Sequence, residues 1–358
     1  MSQSAAAALQ LGMSIVNPDG STNRIWLSSY VKGVVHEIDV NKYQSLGQYF
    51  DECVNKFRAR PGFVSIGTEM TNDRLDRLVS SFAGWLQSQG VKKGDRVAIM
   101  LPNTFQYPVC LFAVLKLGAV VVNINPLYTS RELAHALKDS GAETIIVMET
   151  FAKTLQDALP GTKVKRIVLT QIGDLLSDGF INAKGRLLNF VLRKVQKMVP
   201  DYSLPGALWM RDVIKAGAKV KVKPTEVKPE DLAFLQYTGG TTGVAKGAAL
   251  SHDNLIANTL QAEAWNTPIL QMQNGRIQFV NVAALPLYHI FAFTVSMMLT
   301  MRLGGSVVLI PNPRDIPAML KELRRYRITA LPAVNTLFNG LVNHPDFKTV
   351  DWSGLRVS

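Results

Sequence analysis

Short, uncharged apolar runs alternate with helical patterns along most of this chain, and that alternation limits the folds it can adopt. In the first half, strand-like runs at Val97–Leu101, Val120–Asn123 and Ile145–Met148 are separated by helical patterns, one ending near Leu117 and one covering Arg131–Lys138. An apolar run of four or five residues between turn signals is typical of a strand buried on both faces. Strands that alternate with helices favour right-handed crossovers. We therefore predict a doubly wound α/β fold with largely parallel sheets.

The alternation resumes after a linker rich in Lys and Pro at residues 219–231. Further predicted elements are helices at Tyr49–Phe57, at Leu75–Leu86, from Asp253 onward, at Ile316–Tyr326 and at Thr336–Val342, and strands at Leu232–Tyr237, Gly247–Leu250, Val280–Leu285, Ser306–Ile310, Ile328–Leu331 and Leu355–Val357. We predict a flexible tail over residues 1–23, a first α/β subdomain over 24–228 and a second over 229–358. Because nothing follows the last predicted strand to cover it, we expect the second subdomain to be incomplete.

The composition indicates a folded protein of a reducing compartment. In 358 residues, 47% are apolar and 18% are charged, which allows a large core and excludes a mainly disordered chain. The two cysteines, Cys53 and Cys110, are too few for a disulfide framework. Each lies in a helical pattern, so buried small side chains are favoured over reactive thiols. We expect a cytoplasmic protein.

Neither a secretory signal nor a membrane span is predicted. The first 23 residues carry no positive charge and no long apolar run, which a secretory signal needs. The longest apolar stretch, Ala283–Met301, contains Pro286 and the polar pair Tyr288 and His289. A buried strand followed by a core helix explains that stretch better than a span does.

Positive charge is concentrated in one segment, Lys184–Lys223. It holds ten basic and two acidic residues, which is most of the net charge of +12. Within it, one helical face carries apolar residues, namely Leu187, Leu188, Val191, Val195 and Met198. Such a helix could lie on an anionic membrane or pack its apolar face inward as an ordinary surface helix, and both readings stay open. Nucleic acid is a weaker reading and is not expected as a partner, because the segment does not resemble a base-binding surface of interleaved aromatic and basic residues.

The strongest chemical signal is the segment YTGGTTGVAKG at Tyr237–Gly247. Its glycines allow a tight turn whose backbone N–H groups can converge on anionic oxygens, and its threonines and lysine add hydroxyl and ammonium donors. A Walker A loop would need Ser or Thr after the lysine, and here glycine follows Lys246. The segment predicts a phosphate-binding loop of another class.

This segment, preceded by EDLAFLQ, resembles the phosphate-binding signature of the acyl-adenylate-forming superfamily, and in particular that of bacterial long-chain fatty acid–CoA ligases. The resemblance extends from Trp26 to the end of the chain. It includes Gln106–Ala142, Ala284–Phe293, Asn312–Pro317 and Val334–Asn343. The last two stretches favour the fatty acid branch over luciferases and peptide-synthetase adenylation domains.

The resemblance implies a two-step reaction with ATP, Mg²⁺ and CoA. A fatty acid carboxylate attacks the α-phosphate of ATP, and the thiol of CoA then displaces AMP from the acyl-adenylate. Lys246 would act as a catalytic residue that neutralises phosphate charge, and Thr238 would lie nearest the Mg²⁺ that bridges the phosphates. The implied cofactor-binding residues are Tyr237, Thr238, Gly239, Gly240, Thr241, Thr242, Gly243 and Lys246.

Five further residues lie at positions to which the resemblance gives roles. His289 would contact the carboxylate as a catalytic and substrate-binding residue. Phe293 would gate the acyl site, although a core aromatic is equally compatible with its helical spacing. Asn335 and Thr336 would line the substrate pocket. His252 would be structural and would cap or brace the loop.

The resemblance also implies that the chain lacks the C-terminal lid domain with its catalytic lysine, so it would not complete the reaction alone. A fatty acyl-AMP ligase and a non-catalytic scaffold on a membrane surface remain alternatives. The expected partners are a fatty acid, ATP and CoA, with peripheral contact to the inner face of an anionic membrane. A homodimer is also compatible with the sequence.

Overall fold

The structure, a computed structural model, describes residues 15–16, 22–177, 182–238, 245–271 and 278–358. Its strands, numbered in chain order, are β1 (Ile15–Val16), β2 (Thr22–Asn23), β3 (Pro61–Ser65), β4 (Thr68–Thr71), β5 (Arg96–Met100), β6 (Val120–Asn123), β7 (Thr144–Met148), β8 (Arg166–Thr170), β9 (Leu208–Trp209), β10 (Leu232–Thr238), β11 (Lys246–Ser251), β12 (Val280–Ala283) and β13 (Ser306–Leu309).

The α-helices are α1 (Leu46–Lys56), α2 (Asn72–Ser88), α3 (Gln106–Lys116), α4 (Ser130–Ser140), α5 (Ala152–Ala158), α6 (Ala183–Phe190), α7 (Met210–Gly217), α8 (His252–Gln271), α9 (Ile290–Ala292), α10 (Leu299–Arg302), α11 (Ile316–Leu323) and α12 (Asn335–Val342). A π-helix at Val191–Val195 continues α6, and another at Phe293–Met298 joins α9 to α10. Short 3₁₀ turns cover Ile25–Ser29, Glu149–Phe151 and Pro345–Thr349.

Seven strands form the larger sheet, in the order β11-β10-β6-β5-β7-β8-β9. Every neighbouring pair is parallel except β10 and β11. Side chains alternate between the two faces, so that Ile99 and Val121 pack in one core cluster and Met100 and Val122 in the other. Helices α1 to α3 cover the first face, and α4 and α5 cover the second. The prediction of a doubly wound, largely parallel α/β fold is confirmed.

The smaller sheet has the strand order β12-β13-β3-β4. Single bridges from Asn281 to Ala330 and from Ala330 to Val357 extend it beyond β12, where the sequence predicted two full strands. The hairpin β3–β4, which the sequence analysis did not predict, enters this sheet through the parallel pairing of Phe63 with Val307. Each sheet therefore contains strands from both sides of the predicted boundary at residue 228. The hairpin precedes that boundary and lies in the smaller sheet, whereas β10 and β11 follow it and lie in the larger sheet. The proposed subdomain division stays a prediction.

Both cysteine side chains are buried in the main core, as the sequence analysis favoured. Burial raises the pKa of Cys53 to about 12 and raises that of Cys110 well above its usual value. In the described ranges, none of the helices combines the length and apolar character that crossing a membrane requires.

Candidate active site

The two ends of the predicted phosphate-binding loop lie opposite each other, at the last residue pair of the antiparallel strands β10 and β11. Thr238 ends β10, Lys246 begins β11, and the register places the two residues directly opposite. Opposite residues in such a pair have Cβ atoms about 4.5–5.5 Å apart and point to the same face. Both side chains are exposed. A hydroxyl and an ammonium group thus lie side by side at the carboxyl end of β10.

Five of the predicted phosphate-binding residues lie outside the described residues, namely Gly239, Gly240, Thr241, Thr242 and Gly243. Their roles stay predictions. For Thr238 and Lys246, the donor chemistry fits phosphate oxygens. Within the described part of the chain, neither side chain has a hydrogen-bond or ion-pair partner.

Helix α4 fixes both ends of this loop. The Tyr237 hydroxyl donates to Asp139 Oδ2 at 2.6 Å, and His135 Nε2 lies 2.9 Å from the carbonyl oxygen of Ala245, to which it can only donate. The helix starts at a capping box formed by Thr129 and Glu132. Neither contact was predicted from the sequence, because each joins an end of the loop to a residue about a hundred positions earlier.

Tyr237 is buried, and its ring lies against Gly247, where a Cβ would come within 3.2 Å of the ring. Burial and the neighbouring Asp139 hold the pKa of its hydroxyl well above the usual value. In this conformation the hydroxyl is hydrogen-bonded to α4. Its contact with a cofactor remains a prediction.

His252 has a structural role, but at a different place from the one expected. Its Nδ1 atom accepts a hydrogen bond from the backbone N–H of Leu46, the first residue of α1, at 3.1 Å. His252 directly follows β11, whose first residue is Lys246. At the usual rise of a strand, the two residues are about 20 Å apart. The hypothesis that His252 braces the loop is wrong, because its partner belongs to α1.

His289 lies in the segment that follows β12, at the N-cap of α9. Its Nδ1 accepts from the backbone N–H of Phe291 at 3.3 Å, and the side chain is exposed. An imidazole whose Nδ1 accepts carries its proton on Nε2 when neutral. His289 therefore presents an N–H donor to solvent, which is the group that could orient a carboxylate.

Two buried side chains that the sequence analysis missed hold the segment that leads to His289. Asn103 Nδ2 donates to the carbonyls of Ala283 and Leu285 at 2.8 and 2.9 Å, and Asn103 Oδ1 accepts from the N–H of Leu287 at 2.8 Å. The Tyr107 hydroxyl donates to the carbonyl of Leu287 at 2.7 Å. The available signal was that Asn103 lies three residues after the end of β5, at the carboxyl end of a parallel strand, where ligand sites form in this fold class.

The other predicted substrate residues differ in exposure. Phe293 is fully buried in the main core, and its ring centroid is 5.0 Å from that of Phe234, which fits a core aromatic, while its role as a gate stays a prediction. Asn335 and Thr336 are exposed in the first turn of α12. Their assignment to the substrate pocket stays a prediction. Among the described residues, no group of three or more His, Cys, Asp or Glu side chains is placed to hold a metal ion.

Comparison with known proteins finds relatives that match most of this chain. Long-chain-fatty-acid–CoA ligases are 47% identical over 336 residues in Escherichia coli O157:H7 and 46% identical in Haemophilus influenzae, each over 94% of this chain. The chain spans 58% and 59% of the length of these relatives. The crystal structure of a long-chain-fatty-acid-CoA ligase from Archaeoglobus fulgidus is similar with a TM-score of 0.67 and 25% identity, over 88% of this chain and 56% of that one.

The family model of the AMP-binding enzymes matches residues 50–358, which include both strands of the predicted phosphate loop and the segment that carries His289. The chain therefore belongs to the AMP-binding enzyme family.

Proposed function

We propose that the full-length protein activates long-chain fatty acids with ATP and transfers the acyl group to CoA. In the first step, a carboxylate oxygen bonds to the α-phosphorus and the bond to pyrophosphate breaks, giving acyl-AMP. In the second step, the sulfur of CoA bonds to the acyl carbon, AMP leaves, and the thiol proton is released. The observation that carries this proposal is the pairing of Thr238 with Lys246 at the mouth of the loop. The names of relatives at 47% identity support the substrate class.

The residues have distinct roles in this proposal. Lys246 neutralises charge on the phosphate oxygens, and the Thr238 hydroxyl donates to them or would hold Mg²⁺. Mg²⁺ supplies further neutralisation of the polyphosphate when it is bound. His289 donates from Nε2 to the fatty acid carboxylate and so orients the attacking oxygen. These donors are fixed on strands or at a helix start, which reduces reorganisation during the reaction.

The test is fatty acid-dependent release of pyrophosphate from ATP by the full-length protein, measured with and without CoA. Lys246→Ala should lower the rate by about tenfold or more, because a phosphate-binding charge is lost. Lys348→Ala, which removes an exposed lysine distant in sequence from the loop, should leave the rate unchanged. Equal rates for Lys246→Ala and the unmodified protein would contradict the role of Lys246. Accumulation of acyl-AMP without acyl-CoA would favour the fatty acyl-AMP ligase.

We also propose peripheral contact with an anionic membrane through the basic helix, α6 and its π-helical continuation. Only part of its apolar face turns inward, through Leu188, which packs against the core. Leu187, Phe190 and Val195 remain 65%, 58% and 65% exposed. A cleft of about 950 Å³ between this helix and α7 has five cationic and two acidic residues in its lining, namely Arg186, Arg193, Lys194, Arg211 and Lys215 with Asp174 and Asp212. Exposed apolar side chains beside cations suit an interface with anionic lipids.

A homodimer is compatible with the sequence, and we propose it only as a state to be tested. Light scattering coupled to size-exclusion chromatography would measure the mass in solution. Vesicle binding by a protein without nucleotide affinity would favour the non-catalytic scaffold over the ligase.

A further inference from the structure

Buried polar side chains, two of which meet at the backbone of Leu287, join the segment that carries His289 to the strand that carries Thr238. They are Asn103, Tyr107, Asn123 and Gln236, each no more than 4% exposed. We infer that Asn103 and Tyr107 are positioning residues, which hold His289 in register with the phosphate-binding strand. This inference rests on the function proposed above. It explains what holds the His289 segment in place relative to the strand that carries Thr238.

The Asn103 side chain donates two hydrogen bonds and accepts one, and all three join it to the same backbone segment. Strand β12 ends at Ala283, so the carbonyl of Leu285 and the N–H of Leu287 lie beyond the last paired residue of the strand. Asn103 contacts three backbone groups across five residues, and Leu287 is only two residues before His289. Three directional contacts fix both the distance and the rotation of the segment, which apolar packing alone does not do.

Tyr107 extends this contact toward the larger sheet. Its hydroxyl has one hydrogen, and two acceptors lie near: Leu287 O at 2.7 Å and the Asn123 side-chain amide at 3.1 Å. The hydroxyl donates to Leu287 O over the shorter distance, and Asn123 Oδ1 is its second, longer acceptor. Asn123 in turn donates from Nδ2 to Gln236 Oε1.

Gln236 completes the connection. Its side-chain amide lies 3.2 Å from that of Asn123, and it precedes Thr238 by two residues on β10. The path from Leu287 to Gln236 thus passes through Tyr107 and Asn123 and joins the two sheets. In a buried, low-dielectric site an unmade hydrogen bond is costly, so this network favours one relative placement of the sheets over neighbouring ones.

The test is a double-mutant cycle in the full-length protein. Asn103→Leu removes all three contacts at similar side-chain size, and Tyr107→Phe removes one hydroxyl. We expect each to lower kcat for pyrophosphate release, by about tenfold or more for Asn103→Leu, with the KM for ATP changed less than about twofold. In a His289→Ala background the same changes should lower kcat by less than about twofold, because their effect passes through His289.

The matched control is Asn72→Leu, which removes another buried amide that donates to a backbone carbonyl, that of Phe57 at 3.0 Å. It should lower stability without lowering kcat per folded molecule. If Asn103→Leu and Tyr107→Phe reduce kcat equally with and without His289, the residues are merely structural and the inference is overturned. If Asn103→Leu does not fold, Tyr107→Phe decides alone. If the unmodified protein releases no pyrophosphate, the proposed function fails, and this inference fails with it.

Discussion

The Nδ1 atom of His252 accepts a hydrogen bond from the backbone N–H of Leu46, a residue 206 positions earlier in the chain, at 3.1 Å. That N–H lies in the first turn of α1, where a helix cannot satisfy its own donors. Ser45 supplies a second acceptor to the same turn, from its side chain to the N–H of Gln48. The contact ties the end of β11 to the start of α1 and requires Nδ1 to be unprotonated.

Because of this contact, the free energy of unfolding should decrease as the pH is lowered. Burial lowers the pKa of His252 to about 4, below the 6.5 of an exposed histidine. Protons therefore bind the unfolded chain more readily, so the stabilisation is complete above pH 6.5 and is lost as pH falls toward 4. His252→Asn keeps an acceptor for Leu46 and removes the titration. Between pH 7.5 and 5, the unmodified protein should lose up to about 2 kcal/mol more unfolding free energy than this variant, at about 1.4 kcal/mol per pKa unit.

Urea denaturation at several pH values would measure this difference. His36→Asn, which changes an exposed histidine, should retain the full pH dependence. Parallel curves for His252→Asn and the unmodified protein would show that His252 does not govern the acid sensitivity.

A second prediction concerns the contact of α2 with α7. A Cβ at Gly217 would overlap the Ser81 carbonyl and come within 2.8 Å of the Trp85 nitrogen, and backbone atoms cannot rotate away. Gly217→Ala should therefore lower the unfolding free energy by about 1–3 kcal/mol. Gly340→Ala is the control, since it lies in α12 with its nearest neighbour at 3.6 Å. That change should be neutral or stabilising by up to about 1 kcal/mol, and equal effects in calorimetry would refute the packing argument.

Local pattern predicted five of the seven strands of the larger sheet and missed β8 and β9 at its edge. Strands β5, β6 and β7 were predicted because strands buried on both faces leave uninterrupted apolar runs. Val120–Asn123 was predicted with the bounds that the structure has. The hairpin β3–β4 was missed because its place is set by the pairing of Phe63 with Val307, which no local pattern encodes. The same limit applies to the site. The loop composition indicated phosphate, but Asn103 acts on backbone groups about 180 residues away, and its neighbours in sequence give no sign of that.

The basic helix offers a third prediction. Arg186→Glu combined with Lys194→Glu should reduce co-sedimentation with vesicles of anionic phospholipid by about tenfold or more, since each cation near such a surface contributes about 1 kcal/mol. Lys163→Glu combined with Lys348→Glu makes the same change of net charge at exposed positions outside the helix, and should bind normally. Binding to purely zwitterionic vesicles should be weak throughout. A loss shared equally by both double variants would point to net charge rather than to this helix.

Two histidines of this chain have the same capping role, and the comparison separates capping from chemistry. His289 Nδ1 accepts from Phe291, and His344 Nδ1 accepts from the N–H of Asp346 at 3.2 Å. Each residue is the N-cap of the short helix that follows it. Asparagine is a good N-cap, so it can replace either imidazole as an acceptor.

His289→Asn should therefore keep the fold and lose the reaction. The variant retains the acceptor for Phe291 and removes the outward Nε2–H, so its midpoint of thermal unfolding should match that of the unmodified protein. Its kcat for pyrophosphate release should fall by about 10²-fold, the usual effect of losing one oriented donor. His344→Asn should change neither quantity. His289→Ala should lose the same activity and, in addition, about 1 kcal/mol of stability from the missing cap. Full activity of His289→Asn would mean that the imidazole only caps α9, and the carboxylate would then need another donor.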